Sequence, residues 1–573
     1  MINSCLTITL FIISPANKNI QKVKETEEME KFTEGKESTV LSEVAGKVFS
    51  RVIVVFTCII LVVFPLYYEN YYFNILKAKY KFYWITVLAM IVVCILLGVV
   101  FLFVDRLEYN GMNTKKFISR LRTNTLKNQP VEYKALTAFW IFAALSTALS
   151  DYKFESFWGN EGRFSGLFLI TLYVLSVYFI GKLGRFKKWH LDLFLISGIF
   201  VCLFGITDYF QMDILGWKNN VAQEQGDFFT SFLGNVNTYT AYVAMLMGTS
   251  CGLFVAEKNI FRCVWYYVVL LISFFAIIMG QSDNAYLALG ALFIFLPFVL
   301  FRSRRGVMQY IILLASFMST IRIIADINIK MADKVISLHG IFDYMAGYEK
   351  LGVILIMLWG SVVVLFASSR AVTLKKNDRI GVWLRIIWLF IVLSAAVLIA
   401  YVLYDANFGD NPERYAALSR YLIFNDNWGS NRGYCWRIGL ESYMKQPMIH
   451  KLFGFGPDTF GLLTWDFREE TIALQGVFYE NAHNEYLQYL VTMGPFAVIA
   501  YLLFVGGGLV RMLRIYEERP FILAPIAAVL CYNTQNIVNI NLPIATPVMW
   551  TLLAVGLALS REAEGIRVLK KKN

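Results

Sequence analysis

Long apolar runs alternate with short polar connectors along most of this chain. The stretch YWITVLAMIVVCILLGVVFLFV, at 83–104, carries no charge, and as a helix such a run crosses about 30 Å of hydrocarbon. Reading every such run predicts about fourteen spans, near 52–68, 83–104, 135–150, 167–182, 191–210, 238–256, 263–280, 285–301, 307–325, 351–368, 382–404, 486–510, 521–540 and 544–560. The short third run and the pair over 263–301 are the weakest. The expected fold is an all-α polytopic membrane protein with its transmembrane domain over 52–560. Between spans eleven and twelve the alternation stops for residues 405–482, too long for a structureless connector. Within this loop NPERYAALSRYLIF has helical spacing, and NRGYCWRIGLESYMKQ reads as an amphipathic helix with Trp436, Leu440 and Tyr443 on one face. The segment LFGFGPDTFG is turn-rich; it lacks the lysine of a phosphate-binding loop and reads as a structural turn.

Composition agrees with this pattern: 57% of residues are hydrophobic, 16% are charged and mean hydropathy is +0.55. Lysine and arginine concentrate in alternate connectors, which sets the orientation. With the N-terminus inside, the inner loops are 105–134, 183–190, 257–262, 302–306, 369–381 and 511–520, followed by a basic cytosolic tail at 561–573. The net charge of +12 is then mostly a topology signal, helped by anionic lipid. No basic soluble domain exists to bind nucleic acid. Residues 1–51 read as a cytosolic, disordered lead: MINSCLTITLFIIS is too short to span and lacks the basic start of a signal peptide, and Met29 is an alternative start. Of eight cysteines only Cys435 falls in an outer loop, and no Cys/His cluster suggests a metal. Neither a metal nor a cofactor is expected.

The chain has four histidines, and His483 stands between two asparagines just ahead of span twelve. Asn481 or Asn484 is placed to cap that helix. A helix N-terminus disfavours imidazolium and attracts anions, so a neutral histidine there is suited to accept a proton. From spacing alone, a histidine that merely caps or packs is the simpler reading. The loop before it, 405–480, holds seven basic residues (Arg414, Arg420, Arg432, Arg437, Lys445, Lys451, Arg468) against ten acidic ones. It is no general cationic surface. Arginines that bind an anion here do so as placed side chains, whose planar forks match phosphate oxygens.

The segments RGYCWRIGLESYMKQPMIHKLFGFGPDTF and NAHNEYLQYLVTMGPFAVIAYL resemble the O-antigen ligase and polymerase superfamily. Arg432, Trp436, Pro447, Gly454, Gly456, Phe460, His483, Asn484, Leu487 and Gly494 fall on its pattern, while Ala497 stands where a second helix glycine is common. Upstream, WGNEGRFSGLF and FLGNVNTYTAY resemble its Gly–Arg–x–x–Gly and Gly–x–x–Asn segments, so the ligase-like core covers about 155–510. The resemblance implies a catalytic loop on the extracytoplasmic face of the plasma membrane. The donor would be a glycan on a polyprenyl pyrophosphate, the acceptor a sugar hydroxyl on a glycan or glycolipid. His483 would be the base and Arg432 the seat of the leaving diphosphate. Arg163, Arg437, Asn484 and Asn237 would help bind substrate; Asn237 reads equally as a cap for span six. One position departs: Asp283, in GQSDNAY, stands where many members have an arginine assigned to pyrophosphate binding.

Two readings share that site, a ligase that moves a finished glycan and a polymerase that extends a lipid-linked chain; the ligase is favoured. No DxD triplet suggests a nucleotide-sugar enzyme. A lipid-linked oligosaccharide flippase is disfavoured, because polar residues gather in one outer loop and no repeat relates the halves. Arg322 and Arg385 lie near span ends, where they can snorkel to water.

Overall fold

The computed structural model describes residues 40–123, 126–219, 221, 223–371, 380–409 and 412–572. The expectations for residues before 40, and for most of the basic connector at 369–381, lie outside the described residues.

Each predicted apolar run overlaps a helix: α1 (Val40–Leu66), α2 (Ile75–Glu108), α3 (Val131–Leu149), α4 (Leu167–Leu183), α5 (Lys188–Tyr209), α6 (Val236–Ala256), α7 (Ile260–Met279), α8 (Asn284–Leu300), α9 (Arg304–Lys330), α10 (Leu351–Ala371), α11 (Trp383–Phe408), α12 (Glu485–Arg514), α13 (Leu523–Gln535) and α14 (Thr546–Lys572). Among the described residues ten helices are long and apolar enough to cross a membrane, and α4 and α8 are shorter apolar helices. At Val40, the first described residue, the chain is already helical, inside the segment expected to be disordered. VLSEVAGKVFS holds no proline, and Glu43 pairs with Lys47 one turn on, 2.8 Å apart. The fold is not strictly all-α, since Phe229–Thr230 and Gly234–Asn235 form a short antiparallel ribbon.

The chain divides into two compact units, one of residues 1–52 and 90–129, the other of 53–89 and 130–573. In the first, Phe49 rests on Phe101 at 5.9 Å, and Asp105 accepts hydrogen bonds from the Asn113 and Thr114 backbone amides at 3.1 and 2.8 Å. In the second, α6 is the innermost helix, buried over 94% of its apolar stretch. Gly248 and Gly252 let it approach α13 at backbone contact: a Cβ at Gly252 would stand 2.4 Å from the Ala524 nitrogen. Small residues four apart are what close helix pairs in lipid require. The opposite case is α11, none of whose apolar stretch is buried; it offers nearly its whole circumference to lipid.

Between α11 and α12 the long loop is built of short helical pieces: 3₁₀ Pro412–Leu418, then Ser419–Leu422, Trp428–Lys445, Met448–Phe453, Phe460–Leu463 and Arg468–Gln475. The amphipathic helix forms as expected but is rotated. Arg432, Cys435, Ile438, Gly439 and Ser442 make the buried face, while Leu440 is 44% exposed. A hydrophobicity pattern misses this face because its contact point is a glycine. Gly439 lies against Phe460, which a Cβ would meet at 2.8 Å.

Candidate functional site

The site begins with a break in α12. Gly494 has φ 78° and interrupts the helix, and Pro495 after it has no amide hydrogen to donate. The carbonyl of Thr492 takes its hydrogen bonds from outside the helix instead: from the amides of Phe455 and Gly456 at 2.8 and 2.9 Å and the Ser146 hydroxyl at 2.9 Å. LFGFGPDTFG is thus a docking turn. Gly454 has φ 80°, and a Cβ there would stand 2.3 Å from the Thr492 oxygen and the Met493 Cα, so only glycine fits.

That turn aims Asp458 at the segment carrying Arg163. One carboxylate oxygen of Asp458 accepts the backbone amides of Asn160 and Ser165 at 2.8 and 3.0 Å. Burial raises its pKa to about 7, against those two hydrogen bonds and the charge of Arg163. The Gly–Arg–x–x–Gly spacing has a steric cause: a Cβ at Gly162 would strike the Glu480 carboxylate, and one at Gly166 the Gly159 and Phe157 backbone. Arg163 Nε lies 3.8 Å from Glu480 Oε2, too far for a hydrogen bond, and this enclosed nitrogen has no other partner. Arg163, Asp458, Asn481 and Asn484 line a cavity of about 30 Å³, room for a water but not a sugar.

His483 follows at once. Its φ is +48°, a left-handed conformation that costs a non-glycine residue on the order of 1 kcal/mol or more. Two asparagines hold it there. Asn481 Oδ1 accepts the His483 amide at 2.9 Å, and Asn484 Oδ1 caps α12 by accepting the Tyr486 and Leu487 amides, both at 3.0 Å. Asn484, expected among the substrate-binding residues, spends its carbonyl on the helix. The Tyr479 ring meets the imidazole edge-on at 6.0 Å. Burial, then the positive charges of Arg163 and Arg432, lowers the His483 pKa to about 3. Residues 163, 432 and 483 therefore share one electrostatic site, with the imidazole neutral.

Arg432 is 7% exposed. Positive φ at Gly429, Ser430 and Asn431 turns the chain so that Arg432 Nη1 donates to the Gly429 carbonyl at 2.5 Å, while its buried Nε has no partner. The charges of Asp283 and Arg420 both act on Arg432. Asp283 lies 3.4 Å from Arg420, which also donates to Ser430 Oγ at 3.1 Å. Arg437 is otherwise placed. Asp426, Glu441 and Glu470 lie 3.0, 3.2 and 2.8 Å from its guanidinium and hold its pKa well above the ordinary value. Arg437, expected among the substrate-binding residues, is thus engaged by three carboxylates.

A family model described as O-antigen ligase matches residues 337–502. Over that segment the chain is similar to the O-antigen ligase family. No curated protein matches the sequence. The matched segment contains Arg420, Arg432 and His483 and ends just past the α12 break; Arg163 and Asp283 lie before it. Members of the O-antigen ligase family are glycosyltransferase-like ligases and polymerases.

The floor of this ligase-like site is a ladder of buried amides. Asn284 donates to the Asn237 carbonyl and to Gln535 Oε1 at 3.0 and 2.8 Å. Gln535 donates to Asn536, and Asn536 to the Glu485 carboxylate. Tyr489 donates to Glu485 at 2.6 Å and accepts from Asn541 at 2.6 Å. Asn237 belongs to this ladder, with Ser282 donating to its side-chain oxygen at 2.5 Å. The cap of α6 is Asn235, which accepts the Asn237 amide at 2.8 Å. Sequence reading missed the ladder and gave Arg420 no role of its own. Only the polar cluster YNTQNIVNIN at the end of a span signalled it. Among the described residues no group of three or more His, Cys, Asp or Glu is arranged to hold a metal ion.

Proposed function

We propose that this protein transfers a glycan from a polyprenyl-pyrophosphate donor to a sugar hydroxyl, at the membrane face where the 409–484 loop lies. The observation that carries this reading is the convergence of Arg163 and Arg432, from distant parts of the chain, on a neutral His483. His483 takes the acceptor's hydroxyl proton as the acceptor oxygen bonds to the anomeric carbon. The bond from that carbon to the donor phosphate breaks, and its electron pair leaves with the diphosphate. Arg163 and Arg432 stabilise the charge growing on that leaving group, and Arg420 adds a third positive charge beside Arg432. A bound diphosphate also offsets the two positive fields on His483, so the imidazole becomes a stronger base when the donor is seated. The small cavity behind Arg163 excludes sugars, which leaves both glycans on the open side.

The basic connectors support the sidedness. Loops 257–258, 302–306 and 516–520 gather around one cavity, at the end of α12 far from His483, as an inner face would require. Ligase remains the favoured reading over polymerase on the sequence resemblance.

The test is reconstitution with a polyprenyl-pyrophosphate glycan and candidate acceptors. His483→Ala is expected to lose about 10²–10⁴ in rate, the usual worth of a general base. Full transfer by the alanine variant would sink the assignment, and a lengthened glycan still on lipid would decide for polymerase.

A further inference from the structure

The far end of the bundle holds a second cationic site. α12 runs 30 residues from Glu485 to Arg514, about 45 Å at 1.5 Å per residue, so the cavity beyond it is remote from His483. This cavity, of about 840 Å³, is lined by Lys258, Arg302, Arg305, Arg385, Glu257 and Glu517 among others. Its charges do not cancel. Glu517 pairs with Arg302 at 2.8 Å, and Glu257 is engaged by Lys188 and the amides of Lys258 and Asn259 at 2.8 and 3.0 Å. Arg305 donates to a neutral group, the Glu257 carbonyl, at 2.7 Å. Among the described residues no carboxylate lies within ion-pair distance of Lys258, Arg305 or Arg385, so these lining residues carry a positive surplus.

Arg385 is the informative residue. A side chain that snorkels to water satisfies its donors there, whereas the Nε of Arg385 is enclosed and has no hydrogen-bond partner. An orphaned buried donor calls for a missing acceptor. What surrounds it says which kind. Arg385 opens α11, the helix with no buried apolar stretch. Trp383 and Ile387 beside it are 73% and 53% exposed, and Val255, Val299 and Leu300 line the cavity itself. An exposed apolar helix face thus adjoins the mouth of a cationic pocket.

We propose that this pocket binds the phosphate headgroup of an anionic phospholipid from the adjoining leaflet. Arg385, Arg305 and Lys258 meet the phosphate oxygens, and the acyl chains lie along the exposed face of α11. Phosphate oxygens also occur on soluble anions; the apolar flank selects the lipid source.

Delipidated protein is titrated with phosphatidylglycerol, phosphatidylcholine or inorganic phosphate, and bound molecules are counted by native mass spectrometry. The expected result is one phosphatidylglycerol held about tenfold or more above phosphatidylcholine, with the preference lost in Arg305→Gln/Arg385→Gln. Equal retention of the two lipids, an unchanged double variant, or inorganic phosphate bound as tightly as the lipid each overturns the proposal. Should the variant not fold, a photoreactive phosphatidylglycerol on wild-type protein decides. Adducts in 255–258, 299–309, 380–385 and 516–520 support the site, and their absence there refutes it. Glycan transfer plays no part in either readout.

Discussion

Asp283 holds Arg420: carboxylate and guanidinium lie 3.4 Å apart, although 137 residues separate them. The Tyr421 hydroxyl faces the same carboxylate at 3.4 Å. The resemblance implies an arginine at the position of Asp283, and here a loop arginine, Arg420, lies beside that carboxylate instead.

This pairing predicts a charge relocation. Arg420→Ala is expected to raise the KM for the lipid-linked donor about tenfold, of the order expected for one partly exposed guanidinium on a phosphate, with less effect on kcat. Asp283→Arg/Arg420→Ala is expected to recover most of that loss. Steady-state kinetics on reconstituted protein check it. A double variant no better than Arg420→Ala removes Arg420 from the donor site.

The field on His483 predicts a pH profile. With its pKa lowered to about 3, the imidazole of the free protein stays neutral through the mildly acidic range. Protonation of this residue then leaves kcat/KM untouched down to about pH 4. Deleting a neighbouring positive charge makes imidazolium easier to form, so Arg432→Gln and Arg163→Gln each move the His483 titration upward. Proton titration of labelled histidine measures this directly. A midpoint near 6.5 in the wild-type protein contradicts the placement of both arginines.

Asp458 predicts the opposite slope in stability. Its folded pKa, about 7, lies above the usual carboxylate value. The stabilisation from its protonated form is full below about pH 4 and is lost as pH rises through about 7. Asp458→Asn keeps an oxygen for the Asn160 and Ser165 amides and removes the titration. Asp458→Ala leaves both amides unpaired, at about 1–3 kcal/mol each. Thermal unfolding in detergent from pH 4 to 8 is expected to show a falling midpoint for wild type relative to the asparagine variant. Parallel curves for the two would mean that Asp458 is ionised throughout.

The apolar runs were legible because lipid demands long uncharged helices, and each run overlaps a helix. The loop was legible as a folded object, less so in its details. Arg432 and Arg437 lie five residues apart and look alike in sequence, yet three carboxylates claim Arg437 and, among the described residues, none pairs with Arg432. Asn235 and Asn237 are equally plausible caps by composition; the backbone turn at Gly234, φ 77°, decides for Asn235. The pairing of Asp283 with Arg420 is tertiary, and no local pattern announces it. The helical stretch of α1 ahead of residue 52 was missed because hydrophobicity, not continuity of helix, set the predicted edge.

The amide ladder beneath His483 has a consequence for how such a protein can change. Asn284, Gln535, Asn536 and Glu485 are each no more than 1% exposed, and each side chain is hydrogen-bonded to the next. A single exchange to an apolar residue therefore strands the neighbour it leaves behind. Single replacements are therefore expected to be tolerated better in the exposed loop than at these four positions, which call for coordinated replacement.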